Sequence, residues 1–288
     1  MVDDAESPLA DDAVGRVLHG DNLPLLEGLA DGSFDLIYVD PPFNTGKAQR
    51  RSKTRTVRDE DGDRTGFGGN RYRTETLVAR QFADNFDDYL AFLEPRLHQA
   101  HRLLSERGTL YFHIDYREAH YCKVLLDAIF GRDAFINEVI WAYDYGGRPK
   151  NRWPAKHDTI LVYARQPGKQ IFNLEEIDRI PYMAPGLVGA EKAARGKLPT
   201  DTWWHTIVSP TGKEKLGYPT QKPLGVLKRI VQAASPPDGL VLDFFAGSGT
   251  TGAACLALGR RFVLIDQHAD AIEVMRDRFA DTPGIVFE

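Results

Sequence analysis

Leu240-Val-Leu-Asp243-Phe-Phe-Ala-Gly247-Ser-Gly249-Thr-Thr-Gly252 is the stretch on which the fold turns. An apolar run leads into Asp243, Gly247 and Gly249 permit a tight turn, and Thr250 can open a helix that Gly259 would stop. The next apolar run, Arg261–Ile265, delivers Asp266, 23 residues beyond Asp243. Glycines let a backbone approach a ligand, and an acid at the end of the following strand can take a pair of ribose hydroxyls. Both belong at the carboxyl ends of neighbouring parallel strands, where open α/β sheets bind ligands. Gly247–Gly252 also spells GxGxxG, the string of a dinucleotide-binding oxidoreductase. Only 36 residues follow it, too few for the rest of such a fold. Asp243 would moreover face a pyrophosphate; it suits a cationic ligand better.

Outward from this turn, further short apolar runs read as strands: 16–18, 34–39, 109–114, 136–143 and 159–163. With 240–244 and 261–265 they make seven. Helical spacing covers 86–104, where Pro95 is expected to kink or split the helix, 117–130 with Gly131 as its stop, and 224–234 entered through Pro223. Strands alternating with helices imply a doubly wound, mostly parallel α/β sheet, with 136–143 and 159–163 as an antiparallel hairpin at one edge. One domain over residues 13–288 is expected. Residues 45–80 read as a mobile loop and 166–215 as an irregular insertion.

The composition fits this picture. Of 288 residues, 42% are apolar and 10% aromatic, enough for a buried core. There is no bilayer-length apolar run, and the acidic start MVDDAESPLADD lacks a signal-peptide core. Cys122 and Cys255 are too few for a disulfide scaffold or a four-ligand zinc site, so no metal and a cytoplasmic setting are expected. The net charge of −5 hides a segregation: residues 45–80 carry ten basic and five acidic side chains. Arg50, Arg51, Lys53 and Arg55 lead that basic run, which suits phosphate contact.

A second cluster ends the 34–39 strand: Asp40-Pro41-Pro42-Phe43. Consecutive prolines stiffen the backbone and remove two donors, leaving carbonyls as acceptors. A carboxylate, a free carbonyl and an aromatic face together match a planar amine such as the exocyclic amino group of a nucleobase. Asp40 and the Pro41 carbonyl would accept its hydrogens and Phe43 would stack on its ring.

Asp40-Pro41-Pro42-Phe43 and Asp243–Thr251 together resemble the paired signatures of S-adenosylmethionine-dependent DNA amino-methyltransferases. Their order, catalytic signature first, resembles the circularly permuted β-class. The resemblance extends to His19–Asn22, Tyr111–Asp115, Asn137–Trp141, Lys156–Tyr163 and Tyr218–Leu224. It implies a class I methyltransferase fold, S-adenosylmethionine as cofactor, and double-stranded DNA as partner with the target base flipped out. By the same resemblance Asp243, Gly247 and Gly249 line the methionine and sulfonium end of the cofactor, and Asp40, Phe245, Thr250 and Thr251 are further cofactor-binding residues. Asp266 holds the ribose, Thr220 and Lys222 meet the methionine carboxylate, and Asp21 and Asn22 contact the adenine. The tetrad and the following Asn44-Thr45-Gly46 resemble adenine-N6 more than cytosine-N4 enzymes, which usually begin with serine; cytosine-N4 is the alternative. Target recognition would reside in residues 166–215, with Trp203 and Trp204 candidates for either DNA contact or the core. A homodimer and a cognate restriction endonuclease are partners that the resemblance allows.

Overall fold

The computed structural model describes residues 8–10, 12–44, 49–58, 61, 64–65, 71–82, 86, 88–209 and 212–288. In chain order the strands are β1 (Gly15–His19), β2 (Phe34–Val39), β3 (Gln49–Arg58), β4 (Arg64–Thr65), β5 (Arg71–Phe82), β6 (Leu104–Ile114), β7 (Phe135–Ala142), β8 (His157–Ala164), β9 (Thr202–Trp204), β10 (Leu240–Asp243), β11 (Arg261–Asp266) and β12 (Ile285–Phe287). The helices are α1 (Asn22–Glu27), α2 (Tyr89–Leu103), α3 (Ala119–Phe130), α4 (Ala190–Arg195), α5 (Leu224–Ala234), α6 (Thr250–Leu258) and α7 (Ala269–Phe279).

Among the described residues the main sheet has nine strands in the order β12-β1-β11-β10-β2-β6-β8-β7-β9. All seven strands expected from the sequence are present. The two additions, β12 and β9, are three-residue strands at the two edges, too short to leave a readable alternation. Pairing is parallel from β12 through β6; β8 runs antiparallel to both β6 and β7, and β9 lies parallel outside β7. The expected hairpin therefore exists, one strand in from the edge.

Successive side chains of a strand face opposite layers, and the core divides accordingly. From β2, Ile37 and Val39 join Leu26, Leu93, Leu97 and Leu126 of α1, α2 and α3 on one face. Leu36 and Tyr38 join Leu227, Cys255 and Met275 of α5, α6 and α7 on the other. Both faces of the parallel strands are buried, which is why those strands read as unbroken apolar runs.

α2 does not split at Pro95. The missing N–H leaves the Ala91 carbonyl without its helical donor, and the Arg96 guanidinium donates to the neighbouring Phe92 carbonyl at 2.8 Å. The largest departure from expectation lies at 45–80. Where a loop is expected, β3 pairs antiparallel with β5 over ten register positions, and β4 adds a short third strand. Its polar, charge-rich sequence lacks the one-sided apolar alternation by which strands are recognised. Residues 166–215 hold α4, β9, a 3-10 turn at Pro185–Leu187 and an isolated bridge between Ile180 and Lys197 among the described residues.

Candidate active site

β10 is the point where the sheet's winding reverses: α6 carries the chain from it to β11 on one side, while β2 lies on the other. Ligands of open α/β sheets sit in the crevice at the carboxyl ends of such strands. The register pairs Val241 with Leu36 and Leu242 with Ile37, so Asp243 comes level with Tyr38 and Asp40 follows two residues on, at the same end of the sheet. A single cavity is lined by Asp40, Pro41, Pro42 and Phe43 together with Asp243, Phe245, Gly247, Thr250, Thr251 and Asp266. Thr220 and Lys222 stand in the same wall.

The glycine turn is built around the two acids. Asp266 accepts from the backbone N–H of Gly247 (2.8 Å) and of His268 (2.9 Å), one on each carboxylate oxygen. Each oxygen keeps a further lone pair, the acceptor set a vicinal diol needs. Asp243 accepts from the Phe245 N–H at 3.1 Å and the Thr251 hydroxyl at 2.6 Å, fixing the turn from below. Burial pushes the Asp243 carboxyl up to about 7, against the pull of those two hydrogen bonds and with Asp40 and Asp266 adding repulsion. Burial raises the Asp266 carboxyl as well, against its two backbone hydrogen bonds. Two raised acids in one cavity favour a cationic occupant. Gly249 has φ +72°, and a Cβ there would lie 2.8 Å from Met275 Cγ of α7. That glycine serves the turn and its packing on α7; Gly247 faces the cavity.

The Asp40 side is equally constrained. Tyr89 donates to the Pro42 carbonyl at 2.6 Å. Asn44, at φ 51°, holds the next turn by accepting from Phe86 N–H and donating to Glu118. Lys222 Nζ donates to Asp40 Oδ2 at 2.5 Å and stands 4.7 Å from the Phe43 ring centroid. The structure thus sets this lysine on the tetrad's carboxylate rather than apart from it. Lys222 follows Thr220, whose φ of 61° is rare for a β-branched residue and bends the segment over the cavity.

Behind Asp40 lies a group that the sequence reading leaves without a role. His113 of β6 is fully buried, with Nδ1 2.7 Å from the Tyr38 hydroxyl and 3.9 Å from Asp40 Oδ1. Its Nε2 is 3.3 Å from Asp158 of β8, and Asp158 also accepts from Tyr143 at 3.0 Å. Burial would raise the Asp158 carboxyl; the hydrogen bond from His113, aided by Lys222 and Tyr143, holds it below the ordinary range. Such a cluster leaves no local sequence signal, because Tyr38, His113 and Asp158 come from three strands and stand 45 or more residues apart.

At the other end of the cavity, Asn22 is in the wall, with its amide donating to the Phe244 carbonyl (2.7 Å) and accepting from Arg96 (2.6 Å). Asp21 lies outside the wall; it caps α1 through Leu23 N–H and pairs with Arg96 at 2.9 Å. Arg96 and Phe92 of α2, absent from the sequence expectations, line the cavity, and Phe92 and Phe245 bring their ring centroids within 6.1 Å. The Trp pair divides: Trp203 is buried under Arg229, while Trp204 is 77% exposed. The backbone of Arg50, Arg51, Lys53 and Arg55 belongs to β3, but their side chains lie outside the described residues.

A family model described as DNA methylase, for N6 and N4 methyltransferases, matches residues 34–277. The DNA adenine methyltransferase YhdJ of Escherichia coli K12 is 27% identical over 271 residues, covering 90% of this chain and 80% of its own length. Among solved structures, the complex of M1.HpyAVI with SAM has a TM-score of 0.58 at 20% identity, covering 92% of this chain and 98% of that one. The cytosine-N4-specific PvuII DNA methyltransferase has a TM-score of 0.63 at 16% identity, covering 94% and 88%. With the family model spanning both strands of the cavity and the helices between them, the chain belongs to the N6/N4 family of DNA methyltransferases, with the class I fold in permuted order.

Proposed function

We propose that the chain transfers a methyl group from S-adenosylmethionine to the N6 amine of an adenine flipped out of duplex DNA. The observation that carries this reading is the single cavity shared by the Asp40 tetrad and the Asp243–Asp266 turn. The residues fit the cofactor: Asp266 offers acceptors to the ribose diol, Phe245 and Phe92 offer ring faces to the adenine, and the buried acids favour a sulfonium. Asn22, Thr220, Gly247, Thr250 and Thr251 close the pocket around them. When bound, S-adenosylmethionine supplies a methyl that is already electrophilic. What the chain must do is prepare the acceptor, whose lone pair is delocalised into the base. Asp40 and the Pro41 carbonyl accept the two N–H hydrogens and favour a tetrahedral nitrogen with its lone pair directed at the methyl. Phe43 stacks on the base, and Lys222 holds the carboxylate in place from its other side. Extruding the base costs a few kcal/mol, which stacking and phosphate contacts made by the basic run at 50–55 offset.

An aspartate-led tetrad and the adenine-named relative favour adenine; the PvuII enzyme keeps cytosine N4 as the second reading. Nucleoside analysis of DNA from a methylation-free host expressing the chain separates the two. N6-methyladenine is expected; N4-methylcytosine alone would replace the substrate, and neither base modified would overturn the activity. Recognition of the target sequence is assigned to residues 166–215, with exposed Trp204 as a contact. A homodimer and a companion restriction endonuclease are further expectations of this reading.

A further inference from the structure

We propose that the buried chain Tyr38–His113–Asp158 receives, through Asp40, the proton that the amine must shed once it carries the methyl. The inference rests on the methyltransferase reading above. His113 acts through Asp40 and is a positioning residue, one that also holds the proton.

The geometry is specific. Asp40 Oδ2 is engaged by Lys222, while Oδ1 is buried, lacks a hydrogen-bond partner among the described residues, and points to within 3.9 Å of His113 Nδ1. An unpartnered carboxylate oxygen beside an imidazole is costly unless a proton is to lie between them at some stage. In the resting arrangement the partners assign the tautomer: Nε2–H donates to Asp158 and Nδ1 accepts from the Tyr38 hydroxyl. Asp158 is therefore placed to stabilise an imidazolium, as the carboxylate of a His–Asp pair does. The charged and titratable groups facing His113 are Tyr38 and Asp40 at the end of β2, Asp158 on β8, Tyr143 beyond β7 through Asp158, and Lys222 ahead of α5. Phe43 and Trp141 cover the ring, with centroids 5.7 and 5.5 Å away.

The step balances simply. An N–H bond of the methylated, positively charged amine breaks and an O–H bond forms at Asp40. The Tyr38 O–H turns its hydrogen away from the Nδ1 lone pair, and the Asp40 O–H then breaks as an N–H forms at His113 Nδ1, with Oδ1 and Nδ1 closing by about 1 Å to reach hydrogen-bond distance. The amine is left neutral, Asp40 is again a carboxylate, and the imidazolium pairs with Asp158. No electrons change hands. The proton returns to solvent when the product base leaves.

The test is single-turnover methyl transfer to duplex DNA across about pH 6 to 9, comparing the wild type with His113→Phe and Asp158→Asn. Phenylalanine keeps the packing against Phe43 and Trp141 but cannot hold a proton; the asparagine keeps a hydrogen bond and tests the charge. His113→Phe is expected to transfer methyl about 10- to 100-fold more slowly at pH 7, with a rate that climbs with pH where the wild type is level. Asp158→Asn is expected to lose less, in the same direction. Cofactor binding by calorimetry and base extrusion by 2-aminopurine fluorescence should both match the wild type, which also shows that the variants fold. An unchanged rate and profile, or a loss equal at every pH, would overturn the proposal and leave His113 a packing residue. A wild type that methylates no DNA would instead sink the methyltransferase reading.

Discussion

At the scale of single residues, the cavity sets two kinds of carboxylate against each other. Asp40 is tied to a lysine, whereas Asp243 is buried against hydroxyl and amide donors and sits near 7. A cation bound over Asp243 favours its ionised form, so cofactor affinity should rise as pH climbs from about 6 to 8, with a proton released on binding. Calorimetry in two buffers of different ionisation enthalpy reads that proton directly; pH-independent affinity with no proton release would refute the assignment. Lys222 supports a sharper test. On the sequence expectation it holds the methionine carboxylate, yet its ammonium lies on Asp40. Lys222→Met should slow methyl transfer at least about 10-fold while changing the cofactor dissociation constant less than about 3-fold. The opposite split would return the lysine to the cofactor.

At the scale of elements, what is legible in the sequence follows from how locally each feature is encoded. The β10 turn and α6 stand where the glycines put them, with Gly259 at φ 66° ending the helix, and α5 spans the expected 224–234. α7, α1 and β12 leave no comparable signal, because the first is mixed in charge and the other two are short. The His113 cluster and the Arg96–Asn22 contact join residues 45 and 74 positions apart, which no local pattern can announce. The strands β3 and β5 read as a loop because strand pairing satisfies backbone groups even when the side chains are polar, and polar side chains carry no burial pattern. One element-level prediction follows from the packing of the turn on α7. Gly249→Ala meets both a left-handed φ and Met275, so it should destabilise the fold by about 1–3 kcal/mol in urea titration. A neutral result would mean that the turn yields more easily than its close approach to α7 implies.

Across the whole molecule, chain order and spatial order are decoupled. The strand carrying the glycine turn arrives late in the sequence but lies in mid-sheet, between β11 and β2, so catalytic and cofactor groups converge from opposite ends of the chain. Charge is decoupled in the same way: an acidic chain concentrates basic residues in 45–80. Replacing Arg50, Arg51, Lys53 and Arg55 by glutamine should weaken DNA binding and lower the slope of log affinity against log salt, by about one for each phosphate left without its cation. An unchanged slope would remove that segment from the DNA interface. Global stability should also carry the signature of the buried acids. The folded chain holds a proton on Asp243 that the unfolded chain gives up, so stability should fall as pH rises from about 4 through 7. The lowered carboxyls of Asp127 and Asp158 act oppositely, and their contribution is lost as pH falls below about 4. Denaturation midpoints should therefore be lower at about pH 8 than at about pH 5, and an equal or higher midpoint at about pH 8 would count against the buried, protonated Asp243.

The most direct measurement is transfer of a radiolabelled methyl from S-adenosylmethionine to duplex DNA by the wild type and by Asp40→Ala, with cofactor binding measured on the same samples. The expected result is labelled DNA from the wild type, none above background from the variant, and similar cofactor affinity in both. Methyl transfer by Asp40→Ala at the wild-type rate would contradict the account.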